Sequence, residues 1–142
     1  MNEEKIVETE LESVLEEYIK LLFFPTLIAT LFIIAVQYTE HPSGLTIASH
    51  VGLVTYLLIL IQRHRTEFFW QTVGILGAVA GAFAAFLSAL YILVAHFTVV
   101  AFFSLITETA FAAILDGIAA AFLYILIQLK SEQKGGENHG NS

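Results

Sequence analysis

The chain has no cysteine, which excludes disulfides, thiolate nucleophiles, thiolate zinc sites and iron–sulfur clusters, and leaves the redox compartment unmarked. Charge is also scarce: 13 % of the 142 residues are Asp, Glu, Lys or Arg, about half the share of a soluble domain. Basic patches interleaved with aromatics are missing, so no nucleic-acid partner is expected. Two prolines and nine glycines are too few for a collagenous or low-complexity chain. The Walker loop, HExxH and GxSxG patterns are all absent, so the chain is not expected to be an enzyme.

What is present is apolar. Hydrophobic residues make up 57 % of the chain, Phe alone occurs 12 times, and the mean hydropathy is +0.77. That composition belongs to an integral membrane protein. A mass of 15.7 kDa accommodates one compact bundle of spans and no separate catalytic domain.

Apolar runs occupy Leu21 to Val36, Leu45 to Ile61, Phe68 to Ala95 and Ile106 to Leu129. A bilayer core of about 30 Å takes roughly 20 helical residues. The pattern predicts an all-α bundle of four transmembrane helices within 18–129, with spans near 18–38, 45–61, 69–95 and 106–129. Tyr18 and Tyr38 bracket the first span where belt aromatics belong. Pro42 and Gly44 in the Tyr38 to Gly44 stretch are turn signals, with Ser43 able to cap the next helix. The connection between the last two spans is expected near His96 to Thr107. Residues 130–142 contain no large apolar side chain, and a short disordered C-terminal tail is expected there.

Seven of the thirteen acids precede residue 18, so the N-terminus is unlike a secretory leader, which begins with positive charge. Within 1–17, Val7, Leu11 and Val14 lead into Tyr18 and Leu21 at alternating four- and three-residue spacings. This is the stripe of an acidic amphipathic helix, expected to dock on its own bundle or on a basic cytoplasmic partner. Lys5 and Lys20 precede span one, Arg63 and Arg65 join spans two and three, and Lys130 and Lys134 follow span four. An even number of spans puts all six cations on one side. The positive-inside rule makes that side cytoplasmic, with both termini in the cytoplasm of a multi-pass cell-membrane protein.

Two sets of residues could carry function. The first is a small-residue stripe: Gly74, Gly77, Gly81 and Ala85 on span three, and Ala113, Gly117 and Ala121 on span four. Such stripes let backbones approach where lipid supplies no hydrophobic drive for association. They predict either an intramolecular hairpin or an oligomer interface. The second set is the intramembrane ionisable residues Asp116, His50, Glu108 and His96, which are costly in lipid and therefore suspect. Glu108 in the Ile106 to Thr109 segment reads as an N-terminal helix cap with Thr107, and His96 as interfacial. Asp116 has no such excuse, and His50 at similar depth is its expected partner, ahead of Glu108. A haem between His50 and His96 would need supporting spacing that is missing, and no cofactor or metal is expected.

The expected role is that of a structural or accessory membrane subunit, assembling with itself or with a membrane protein partner in the lipid bilayer. The alternative is a small ion or proton channel or transporter using Asp116 with His50 or Glu108. The topology is directly checkable, because the chain has no native cysteine. Single cysteines at Ser43→Cys and Ser131→Cys should react with an impermeant thiol reagent from opposite faces of the membrane, and labelling from one face would reject the span count.

Overall fold

A computed structural model describes residues 2–36, 42–63 and 68–140, side chains at 10, 13–22, 42–43, 45 and 137–140 excepted. The described residues are helical almost throughout, with α1 at Glu3–Val36, α2 at Pro42–Arg63, α3 at Trp70–Ala95 and α4 at Val99–Gly140. No strand occurs among them. Three segments, Thr46–Arg63, Trp70–Ala95 and Val99–Gly136, are long and apolar enough to cross a membrane, and α1 adds a shorter apolar segment, Phe23–Val36. The expected turn around Tyr38 to His41 and the Val14, Tyr18 and Leu21 part of the N-terminal stripe lie outside the described residues or side chains.

The helices stay formed because each is rich in Leu, Ala, Ile and Phe and because a backbone in lipid has no water to bond to, so every N–H and C=O must be satisfied within the helix. Pro25 lies inside α1. One turn further on, buried Thr30 donates its hydroxyl to the Thr26 carbonyl at 2.8 Å.

Two boundaries differ from the sequence expectation. First, α4 begins at Val99 and not near 106, leaving only His96–Thr98 as the turn. The Thr98 hydroxyl accepts the Ala101 N–H at 3.0 Å, so Thr98 is the cap and the Thr107–Glu108 pair sits inside the helix. Second, α4 continues to Gly140, where composition alone suggested a disordered tail from Lys130. Extending an existing helix adds one hydrogen bond per residue without a new nucleation cost, which is enough for Lys130 to Lys134 and opposes the roughly 1 kcal/mol penalty of each of Gly135 and Gly136. At 42 residues α4 is about 63 Å long, so it extends beyond a bilayer core.

The interface between α3 and α4 is the most extensive in the bundle. Helix α1 lies against α2 and α3, α2 also touches α4, and α1 and α4 do not meet among the described residues. One core cluster joins Leu57 and Ile61 of α2 to Val73 and Leu76 of α3 and Ala120 and Tyr124 of α4; half-buried Leu11 packs against it. The N-terminal helix therefore docks on its own bundle at least at Leu11. A second cluster joins Ile33 of α1, Leu53 of α2, and Ala80 and Ala84 of α3. The outward surfaces are apolar as well, with Phe97 85 % exposed and Val94 78 % exposed, as suits lipid and not water.

The small-residue stripe is spent inside the molecule. A Cβ added to Gly77 would lie 2.6 Å from the Ala120 Cβ and 2.8 Å from the Asp116 carbonyl oxygen, and one added to Gly117 would lie 3.0 Å from the Ala78 Cβ. Gly74 similarly faces Ala121. Ala85 is buried and Ala113 half-buried; the most buried line on α4 is Ala112, Asp116, Ala120 and Tyr124, one position before the stripe read from sequence. These contacts generate a graded expectation. Gly81→Leu, which would drive side-chain atoms into Asp116, should cost about 1–3 kcal/mol of stability, whereas Gly52→Ala, with nothing within 4 Å of its added Cβ, should be neutral or slightly stabilising. Reversible unfolding in detergent measures both; equal effects would reject the packing argument.

Candidate functional site

Asp116 projects from the buried line of α4 and is 6 % exposed. Its side chain lies directly on the α3 backbone at Gly81. A Cβ built there would come within 2.6 Å of the Asp116 Cγ and 2.7 Å of its Cβ, and would overlap Oδ2. Glycine at 81 thus makes the space that the carboxylate fills.

The third wall is α2, which supplies His50. Its Nδ1 is 2.6 Å from Asp116 Oδ2, and the two side chains are 17 % and 8 % exposed. The depths match: His50 is roughly 20 Å along α2 from Arg63, and Asp116 roughly 21 Å along α4 from Lys130, at 1.5 Å per residue. The contact gives each of the two atoms a hydrogen-bond partner, and leaving either group unpartnered in a low-dielectric interior is the expensive alternative.

The other two ionisable residues are placed elsewhere. Glu108 is not a helix cap, because the positive end of α4 is at Thr98, about 14 Å away along the axis. Thr107 donates its hydroxyl backwards to the Phe103 carbonyl at 2.9 Å and caps nothing. Glu108 shares with His96, Thr98 and Ser104 a cavity of about 220 Å³ at the α3–α4 turn. The four residues therefore separate: His50 contacts Asp116, while His96 and Glu108 line one cavity at the turn. Neither the Asp116–Glu108 pairing nor a facing pair of histidines is formed, and among the described residues no three His, Asp or Glu side chains converge on a metal position.

Sequence reasoning missed a second polar lock. The buried Tyr124 hydroxyl donates to the Phe68 carbonyl at 2.8 Å and accepts the Phe68 N–H at 2.9 Å, while Gln128 donates to the same oxygen at 2.9 Å. This ties the segment entering α3 to the Lys130 end of α4. Its signal was available: Tyr124 is two four-residue steps from Asp116 on the same face, and a buried tyrosine requires a hydrogen-bond partner. Ser88, also buried, donates only to its own helix, at Ala84 and Ala85.

A larger groove of about 610 Å³ runs between α1 and α2, lined by Phe24, Pro25, Ile28, Phe32, Gly52 and Tyr56 among others. Neither cavity is lined by His50 or Asp116. The pair joins α2 to α4 through one short contact between His50 Nδ1 and Asp116 Oδ2, an arrangement suited to holding the two helices together.

No family model matches the chain, and no curated protein or solved structure is significantly similar to it. The site must speak through its own energetics. His50→Ala and Asp116→Ala should each destabilise the bundle, by about 3–5 kcal/mol if the remaining partner stays charged. The double mutant should lose less than the sum, with a coupling of about 0.5–3 kcal/mol. Additive losses in detergent unfolding would show that the contact carries no interaction energy.

Proposed function

We propose that the chain is a four-span membrane protein acting as a structural or accessory subunit, assembled with a second copy or with a membrane protein partner through helix packing. The observation that carries this reading is the outward face of α1 and α2. There Gly52 has open space where a side chain would be and Ser49 and Tyr56 line the same groove. Small and weakly polar residues on a membrane-facing surface are what a partner helix packs against. Gly74, Gly77, Gly81 and Gly117 of the α3–α4 hairpin are already occupied by the facing helix, which leaves this face for external contact.

In this reading α1 is the first span, its Phe23–Val36 segment extended toward Tyr18, so that the termini share one side. The placement of Lys5, Lys20, Arg63, Arg65, Lys130 and Lys134 makes that side cytoplasmic in the cell membrane. Glu3, Glu4, Glu8 and Glu12 are exposed, which leaves an acidic face on the N-terminal helix for a basic cytoplasmic partner. His50 and Asp116 act as the lock that keeps α2 on the α3–α4 hairpin.

A second reading, proton or ion transport through His50 and Asp116, is favoured by one observation, the location of this contact between two ionisable side chains within the bundle. The two readings diverge in proteoliposomes and in assembly mass. For an accessory subunit, Gly52→Phe lowers the mass of the purified assembly without changing its melting temperature, and Asp116→Asn leaves proton permeability at the level of empty liposomes, as does the wild type. Wild-type dissipation of an imposed pH gradient that Asp116→Asn abolishes, together with an assembly mass insensitive to Gly52→Phe, would replace this reading with transport.

A further inference from the structure

The groove between α1 and α2 is too small to take a helix whole. Over the roughly 10 Å of α2 from Ser49 to Tyr56, a helix about 10 Å across would fill about 800 Å³. The space between Phe24, Ile28 and Phe32 of α1 and Leu53 and Tyr56 of α2 is about 610 Å³. A partner helix therefore rests on the rim and leaves the depth to something thinner. At about 30 Å³ for each water-sized group, that depth takes about 20 methylenes, which over its length is two acyl chains side by side. The walls suit such chains, since Phe24 and Ile28 are 68 % and 65 % exposed and no charged side chain lines the groove.

One charge stands at its mouth. Arg63 follows Tyr56 by seven residues, about 20° short of two full turns and about 10 Å along the axis, so it lies on the groove face of α2. It is exposed, and among the described residues it has no ion-pair or hydrogen-bond partner. Helix α2 contains no Asp or Glu. The exposed Glu8 and Glu12 of α1 lie about 160° and 120° round that helix from Phe24, away from the groove. An unpaired guanidinium above an apolar groove is complementary to a phosphate joined to acyl chains, because guanidinium binds phosphate oxygens through paired N–H donors.

We propose that this groove binds one anionic phospholipid of the cytoplasmic leaflet, with its acyl chains between α1 and α2 and its headgroup phosphate on Arg63. The inference rests on the orientation in the proposed function, which puts Arg63 at the cytoplasmic surface, and it places a lipid beneath the partner helix on the same face. The depths agree: the groove begins about 10 Å below Arg63 and ends at about 21 Å, where the distal parts of the chains lie when the phosphate is level with the guanidinium. A long arginine side chain at a helix end reaches the headgroup layer while its stem stays on apolar surface. Basic residues on the cytoplasmic side favour anionic over zwitterionic headgroups.

The test uses the full chain, delipidated in detergent, with phosphatidylglycerol and phosphatidylcholine of identical acyl chains as probes and native mass spectrometry to count retained lipid. One phosphatidylglycerol per chain is expected, held about fivefold more tightly than phosphatidylcholine, the effect of one cation beside an anionic headgroup. Arg63→Gln should remove that preference at an unchanged lipid-free melting temperature, whereas Lys130→Gln, a cation outside the groove, keeps it. Ala29→Phe, which fills the groove from its α1 wall, should lower retention of both lipids. Glycerol phosphate, the headgroup without chains, should leave the bound lipid in place. Equal retention of the two lipids by the wild type, a preference that survives Arg63→Gln, retention unchanged by Ala29→Phe, or displacement by glycerol phosphate would each overturn the lipid proposal. Failure of the proposed assembly is read separately, from an assembly mass insensitive to Gly52→Phe, which lipid retention by a single chain does not alter.

Discussion

A carboxylate halfway along an apolar helix has to be kept from lipid, and in this chain that requirement engages three helices at once. Asp116 is held on the α3 backbone because residue 81 is glycine, and its Oδ2, which lies over that glycine, meets His50 of α2 at 2.6 Å. Removing any of the three components exposes the same cost, because a half-satisfied buried polar pair is worse than none. The contact therefore acts as a register pin. It sets how far α2 is drawn over the hairpin and at what depth α3 and α4 cross, whereas apolar contacts alone would allow the helices to slide.

The α3–α4 seam is graded on either side of that pin. Toward the Lys130 end it is closed by Gly77 against Ala120 and by the Tyr124 bonds to Phe68, with Leu57, Ile61 and Val73 filling the space around them. Toward the turn it opens into the cavity lined by His96, Ser104 and Glu108. The polar groups at the centre and at the Lys130 end are bonded across helices, whereas Thr98 at the turn accepts a bond from the start of its own helix.

The apolar groove between α1 and α2 complements this division. Interior packing consumes Gly74, Gly77, Gly81 and Gly117 of the hairpin. Gly52, by contrast, meets nothing within 4 Å. Under the proposed reading, the tight internal hairpin keeps the shape of the bundle and the open groove receives another helix.

Several of these features were legible in the residues themselves. The absence of cysteine, the scarcity of charge and the lengths of the apolar runs determined a helical membrane protein, because only a helix satisfies its own backbone in lipid. The four-residue spacing of Gly77, Gly81 and Gly117 marked a close backbone approach, and the depths of Asp116 and His50, measured along antiparallel helices, marked a partner. Sequence could not decide where α4 begins and ends: capping at Thr98 and continuation past Lys130 depend on the cooperativity of a helix already formed, which composition does not report. Nor could it decide that Glu108 lines a cavity with His96 while Asp116 meets His50. Eight residues rotate a helix by about 80°, so the two acids occupy neighbouring faces, and which neighbours each one meets is fixed only when α2 and α3 take their places around α4.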